Sequence, residues 1–249
     1  MYIPQAEKDS MVDTASLPHK APEYDLEHLF ELGCHFGHQK AKWHPRMAQY
    51  IYTEKNGVHI FDLAQTAGEL QTAYNYLFPL GAQGKQVIFV GTKKHAAGAV
   101  STHASQAGAM YITSRWLGGL FTNWSQVKQS ITRMKSLESG LEKGEFNKLT
   151  KYERVQLQKE LDRLQRFFEG LREMRGIPDA IVVVDPMREH NAVKEAVSAG
   201  VAVVALTDSN ADPTGVDIVI PTNDDTAKGI EFMVGELASA YSAGKTSVK

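Results

Sequence analysis

Four short aliphatic runs punctuate an otherwise mixed chain: QVIFV at 86–90, AIVVVD at 180–185, VAVVAL at 201–206 and VDIVIP at 216–221. A continuous apolar run leaves no face for water, so each predicts a strand covered on both sides, as in a parallel sheet. AMYIT at 109–113 predicts a fifth strand. Residues 66–80, 95–107, 189–199 and 226–242 read as helices between or after these strands. Strands alternating with helices predict right-handed βαβ units and a doubly wound α/β sheet.

Residues 125–175 break this rhythm. They hold no strand-like run and are longer than a crossover helix needs. Val127, Ile131, Met134, Leu137 and Leu141 recur at spacings of four and three, as do Leu157, Leu161, Leu164, Phe168 and Leu171. Each series is a narrow coiled-coil seam. SGLEKGEFNKL between them holds two glycines for a turn, and Thr150 with Glu153 has the form of a capping box opening the second helix. The pattern predicts an antiparallel helical hairpin, with helices of about 24 residues reaching about 36 Å.

At 249 residues with 43% hydrophobic content, the chain is long enough to bury a full core. Its net charge of -2 carries no global basic signature, so attraction to a polyanion must come from local patches. Residues 125–175 carry 12 Lys and Arg against 8 Asp and Glu, so the rest of the chain is acidic. The single cysteine, Cys34, rules out an internal disulfide framework and points to the cytosol. No apolar run approaches the ~18 residues of a membrane span. Residues 1–25 are expected to form a flexible arm, because the acidic start lacks both the hydrophobic core of a signal peptide and the arginines of a transit peptide.

Two segments concentrate chemistry. In GCHFGHQKAKWHPRM, residues 33–47, the cations Lys40, Lys42 and Arg46 are interleaved with Trp43 and His44, suiting phosphate contact and stacking on an unpaired base. Cys34, His35 and His38 are zinc-capable, but Cys34 and His35 are adjacent and no second ligand pair follows at finger spacing. RWLGGLFTNW, residues 115–124, fits neither helix nor strand. Gly118 and Gly119 would turn the backbone out of the sheet and Trp116 and Trp124 would wedge the hairpin base, leaving Arg115, Asn123 and the following Lys128 for phosphate or ribose.

FVGTKKHAAG, residues 89–98, places Lys93 and Lys94 where a strand becomes a helix, a setting that can hold phosphate, though it matches neither a P-loop nor a dinucleotide fingerprint. Asp185 and Asp208 close two strands at the edge where α/β proteins bind ligands, yet no nucleophile stands with a base. NDDT at 223–226 reads as a helix start with Asp224 or Asp225 as N-cap.

HFGHQ at 35–39, FVGTKK at 89–94, RWLGGLFTNW at 115–124, GIPDAIVVVD at 176–185 and TDSNADPTGVDIVIPTNDD at 207–225 resemble, in order, the blocks of the small-subunit ribosomal protein two family in its bacterial and organellar form. The resemblance runs from about Leu26 to Tyr241. It implies a non-enzymatic scaffold: a flavodoxin-like, doubly wound parallel sheet with an inserted coiled-coil hairpin. The implied domains are a core over 26–121 and 176–242, a hairpin over 122–175 and a short tail over 243–249.

The implied partners are small-subunit ribosomal RNA, at the head and body junction on the solvent side, neighbouring small-subunit proteins, and the messenger-binding ribosomal protein one. Late subunit assembly, a cytoplasmic ribosomal location, no membrane and no homo-oligomer are also implied. Lys40, Lys42, Trp43, His44, Arg46, Lys93, Lys94, Arg115, Asn123 and Lys128 become the RNA-facing candidates. No cofactor is required; zinc at His38 and Asp208 is the one the resemblance admits. The chain departs from the family pattern at Cys34 for an aliphatic residue, His44 for Asn, His95 for Arg and Ser114 for His. An imidazole at 95, unlike a guanidinium, is not permanently charged, which weakens phosphate contact at its turn. The rival readings are an α/β enzyme with a phosphate site near Gly91 and Asp208, and a protein adaptor using the hairpin as its arm.

Overall fold

The computed structural model describes residues 21–247. In chain order they form α1 (Leu26–Glu31), β1 (Phe36–Gln39), β2 (Ile51–Lys55), β3 (Val58–Phe61), α2 (Leu63–Ala82), β4 (Val87–Val90), α3 (Lys94–Gln106), β5 (Met110–Ile112), α4 (Trp124–Glu142), α5 (Lys151–Phe168), β6 (Ala180–Val184), α6 (His190–Ala199), β7 (Ala202–Thr207), β8 (Ile218–Pro221) and α7 (Ala227–Ser247). All five expected strands and all four expected helices of the α/β rhythm are present, with ends shifted by a few residues.

β4 to β8 make one parallel sheet in the order β5-β4-β6-β7-β8. The chain winds from β4 to β5 on one side and then returns to place β6 on the other, so the topological switch lies between β4 and β6. Strand residues alternate between two cores, as a pleated sheet requires. Phe89, Val182, Val204 and Leu206 join α2, α3 and α7, while Ile88, Val90, Ile181, Val183 and Val203 join α4, α5 and α6. Both faces are covered, which explains the unbroken apolar runs.

α4 and α5 pack together, bridged by Arg133 to Glu160 and by Gln165 to Glu138. The expected capping box is formed: the Thr150 hydroxyl accepts from Glu153 N–H while the Glu153 carboxylate accepts from Thr150 N–H. Val127, Ile131, Met134, Leu137, Leu161 and Leu164 belong to the same apolar cluster as the sheet residues Ile88 and Val183. The inner part of the helical pair therefore shares its core with the sheet.

Three expectations need correction. The segment after α1 contains an antiparallel sheet, β1-β3-β2, absent from the sequence reading. Its tight turn is Asn56-Gly57, both at positive φ (54° and 76°), the signature of a two-residue hairpin. The described end of the expected 1–25 arm is packed against the core. Residues 1–20 lie outside the described residues, but Ala21 is buried, the Pro22 carbonyl accepts from Gln71, and the Tyr24 hydroxyl donates to Glu236 on α7. The described part of the expected tail is helix. α7 runs to Ser247, and Gly244 sits so close to α2 that a Cβ there would lie 1.9 Å from the Phe78 carbonyl oxygen.

Candidate nucleic-acid interface

The carboxyl edge of the parallel sheet is filled by the chain's own charges. Lys93 follows β4, and its ammonium lies 2.9 Å from Asp185, 2.6 Å from Asp224 and 2.9 Å from Asp225. Its side chain is only 15% exposed. Burial pulls its pKa down, but hydrogen bonds to the three carboxylates outweigh that and hold it above the ordinary lysine value. Lys93 is therefore not a free phosphate contact, because its charge is already spent. Beside it, Thr92 donates N–H and O–H to buried Glu189, whose carboxyl is raised chiefly by burial. α7 begins at Ala227, so the residue before it is Thr226 rather than the expected N-cap Asp224 or Asp225, and Asp224 is held instead by Lys93.

Burial and the neighbouring charges of Asp185 and Asp208 push Asp224 up to about 7, against the pull of Lys93. His38 Nδ1 lies 3.0 Å from Asp208, whose hydrogen bond raises the imidazole pKa. His38, Asp208 and Asp224 each bring a donor atom within 4.8 Å of the others. Asp224 Oδ2 is buried without a hydrogen-bond partner. One imidazole and two carboxylates suit zinc with a position left open, so the residues present fit that ion. The Cys34, His35 and His38 set is not assembled. Cys34 is in the core against Gly229, and His35 stacks on Phe30, ring centroids 4.1 Å apart.

The basic segment after β1 forms two 3-10 turns, Lys40–Lys42 and Pro45–Tyr50. Lys40 pairs with Glu54 at 2.6 Å, and Arg46 pairs with Asp212 at 3.2 Å and bonds Thr214. His44 caps the second turn by accepting from Arg46 N–H. The segment is pinned to the loop after β7 by His44 N–H to the Ser209 carbonyl, 2.7 Å. Trp43 packs against His59. Among the described residues Lys42, Lys94, Arg115 and Lys128 are exposed and enter no ion pair.

RWLGGLFTNW is organised by a residue the sequence reading missed. The Glu195 carboxylate on α6 accepts from Trp116 Nε1–H (2.8 Å), the N–H groups of Gly119, Phe121 and Thr122, and the Thr122 hydroxyl. Burial raises the Glu195 pKa, yet these bonds more than reverse that and leave it below the usual carboxylate range. Gly119 has φ of 89°, open to glycine and strained for other residues. Trp116 is buried and Trp124 half-buried, as expected of wedges. Asn123 precedes α4 without capping it, and its side-chain oxygen accepts from Ser125. One signal for Glu195 was available: an acid amid the buried helical positions Ala192, Val193 and Ala196.

A family profile described as Ribosomal protein S2 matches residues 29–244. The chain belongs to that family. It is 48% identical over 224 residues to the small ribosomal subunit protein uS2 of Picosynechococcus sp., covering 90% of this chain and 88% of that one. The protein of the same name from Trichodesmium erythraeum is 46% identical, with 90% and 82% covered. That of Thermosynechococcus vestitus is 47% identical over 220 residues, with 88% and 84% covered.

The ribosomal protein S2 family is structural rather than catalytic, and its place is the ribosome in the cytoplasm. At the strand-end edge Asp185 is engaged by Lys93 and Asp208 by His38. Every candidate contact residue and the whole α4 and α5 pair fall inside the matched region. No helix among the described residues is long and apolar enough to cross a membrane.

Proposed function

We propose that the chain is a structural component of the small ribosomal subunit, binding its ribosomal RNA by phosphate neutralisation and shape. The observation that carries this is the similarity over nine-tenths of the chain to proteins named for that subunit. Lys42, Lys94, Arg115 and Lys128 supply unspent charge, Trp43 and Asn123 supply a ring and an amide, and Lys40, His44 and Arg46 contribute by exchanging an internal partner for phosphate. Placement at the head and body junction, a late role in assembly and docking of ribosomal protein one follow from the family resemblance, with the chain as a single copy.

The domain plan is an α/β core with α4 and α5 as an antiparallel coiled-coil hairpin. The short connection between them and the heptad-like seams support it. His38, Asp208 and Asp224 would hold zinc, which would supply a cross-link between β1 and the strand ends. Metal analysis of the purified full chain, with melting measured before and after chelation, tests this: no bound zinc and no change in melting would sink it.

The test of the main reading is sedimentation of a lysate through a magnesium-containing gradient, following the chain by mass spectrometry. Stoichiometric presence in small-subunit fractions after a moderate-salt wash supports it. A chain that stays among free proteins in healthy cells overturns it.

A further inference from the structure

We propose that Trp43 and His59 form a seat for one unstacked nucleobase of the bound RNA, an inference that rests on the RNA-binding reading above. Trp43 follows the turn Lys40–Lys42 and is 36% exposed. Its ring centroid lies 5.1 Å from that of His59, with 36° between the planes. His59, on β3, is only 6% exposed, and neither ring nitrogen has a hydrogen-bond partner.

That burial is unfavourable. A neutral imidazole carries one donor and one acceptor, and an apolar ring would occupy the same place without leaving either unmet. A buried polar group with no partner in the free protein suits a ligand that brings one.

The ligand chemistry follows from what surrounds the pair. The indole offers a flat apolar face, the imidazole offers a donor and an acceptor beneath it, and Lys40 and Lys42 stand in the adjoining turn. A planar heteroaromatic ring with a hydrogen-bonding edge, joined to phosphate, meets all three. That is an extruded base stacked on an aromatic side chain and read on its edge. In the free protein Trp43 covers His59, so seating a base requires the indole to turn aside. The backbone on either side is held, by Lys40 N–H to the Gly57 carbonyl (2.9 Å) and by His44 N–H to the Ser209 carbonyl (2.7 Å). The motion is therefore a side-chain rotation rather than a loop opening.

The test uses the full chain and a full-length small-subunit ribosomal RNA transcript as probe. His59→Phe removes the unmet nitrogens and keeps the shape. It is expected to leave melting of the free protein unchanged or raise it by about 2–4 °C, while weakening RNA binding about tenfold with the salt slope unaltered. Trp43→Ala, at a position 36% exposed, should lose about tenfold, and Trp43→Phe should keep most of the affinity. Lys42→Glu is the contrast: it lowers the salt slope by about one phosphate contact. Wild-type affinity in both His59→Phe and Trp43→Ala overturns the seat, and so does a lower melting temperature for His59→Phe. If the unmodified chain shows no salt-dependent binding to the transcript, the RNA reading itself fails and the seat falls with it.

Discussion

Lys93 and Lys42 are the same side chain in opposite settings. Lys93 stands at the carboxyl edge of the parallel sheet among Asp185, Asp224 and Asp225, and its charge closes the fold. Lys42 stands in the segment after β1, exposed and without an ion pair among the described residues. Both sit in motifs that read as phosphate sites. The difference shows that a cation is available to a partner only where the tertiary structure has not already neutralised it.

The sharpest way to break this comparison is Lys93→Ala. Removing the ammonium leaves buried carboxylates facing one another, so stability should fall by about 3–5 kcal/mol in a denaturant titration. A loss below about 1 kcal/mol would mean the carboxylates are solvated or protonated and Lys93 is as free as Lys42.

Glu195→Gln comes next. The amide keeps the shape but cannot accept from every donor in RWLGGLFTNW, and buried donors left unmet should cost about 1–3 kcal/mol. The sign with pH follows from the lowered folded pKa of Glu195. Its contribution is present above the unfolded carboxylate value, about 4.3, and is lost as pH falls through the lower folded value. Wild-type stability should therefore decline on acidification more than that of the Gln variant. Parallel acid limbs for the two proteins would remove Glu195 from the account.

Lys42→Glu should move stability by no more than about 0.5 kcal/mol while reducing the salt slope of RNA binding. It is a cleaner probe than reversing Lys40 or Arg46, because those changes also set like charges against Glu54 and Asp212. Lys40→Ala in free protein, which has no effect on a bound partner to add, should lose only the exposed pair with Glu54, worth about 0–1 kcal/mol. A larger loss in melting would show that the pair secures the three-stranded sheet.

The legible parts of this protein were those that depend on local pattern. Continuous runs such as AIVVVD announced strands covered on both faces, and Thr150 with Glu153 announced a helix start that the structure forms as a capping box. The antiparallel sheet was legible too, through Asn56-Gly57, but its strands are short and two of them, β1 and β2, have little buried surface, so no apolar run drew attention to them. Zinc-capable side chains were visible as types, yet Cys34 and His35 turned into apolar surroundings while Asp224 joined His38 from far along the chain.

By itself, then, the sequence determined the element types and winding of the α/β core and the resemblance that led to the family, because hydrophobic spacing and turn chemistry act over a few residues. Only the tertiary structure decided which charges are spent. Lys93 meets Asp224 across 131 positions of chain, and Glu195 meets Trp116 across 79. Such partners are chosen by where strand ends and helices converge, and Coulomb and hydrogen-bond energies depend on that distance in space rather than on separation along the chain.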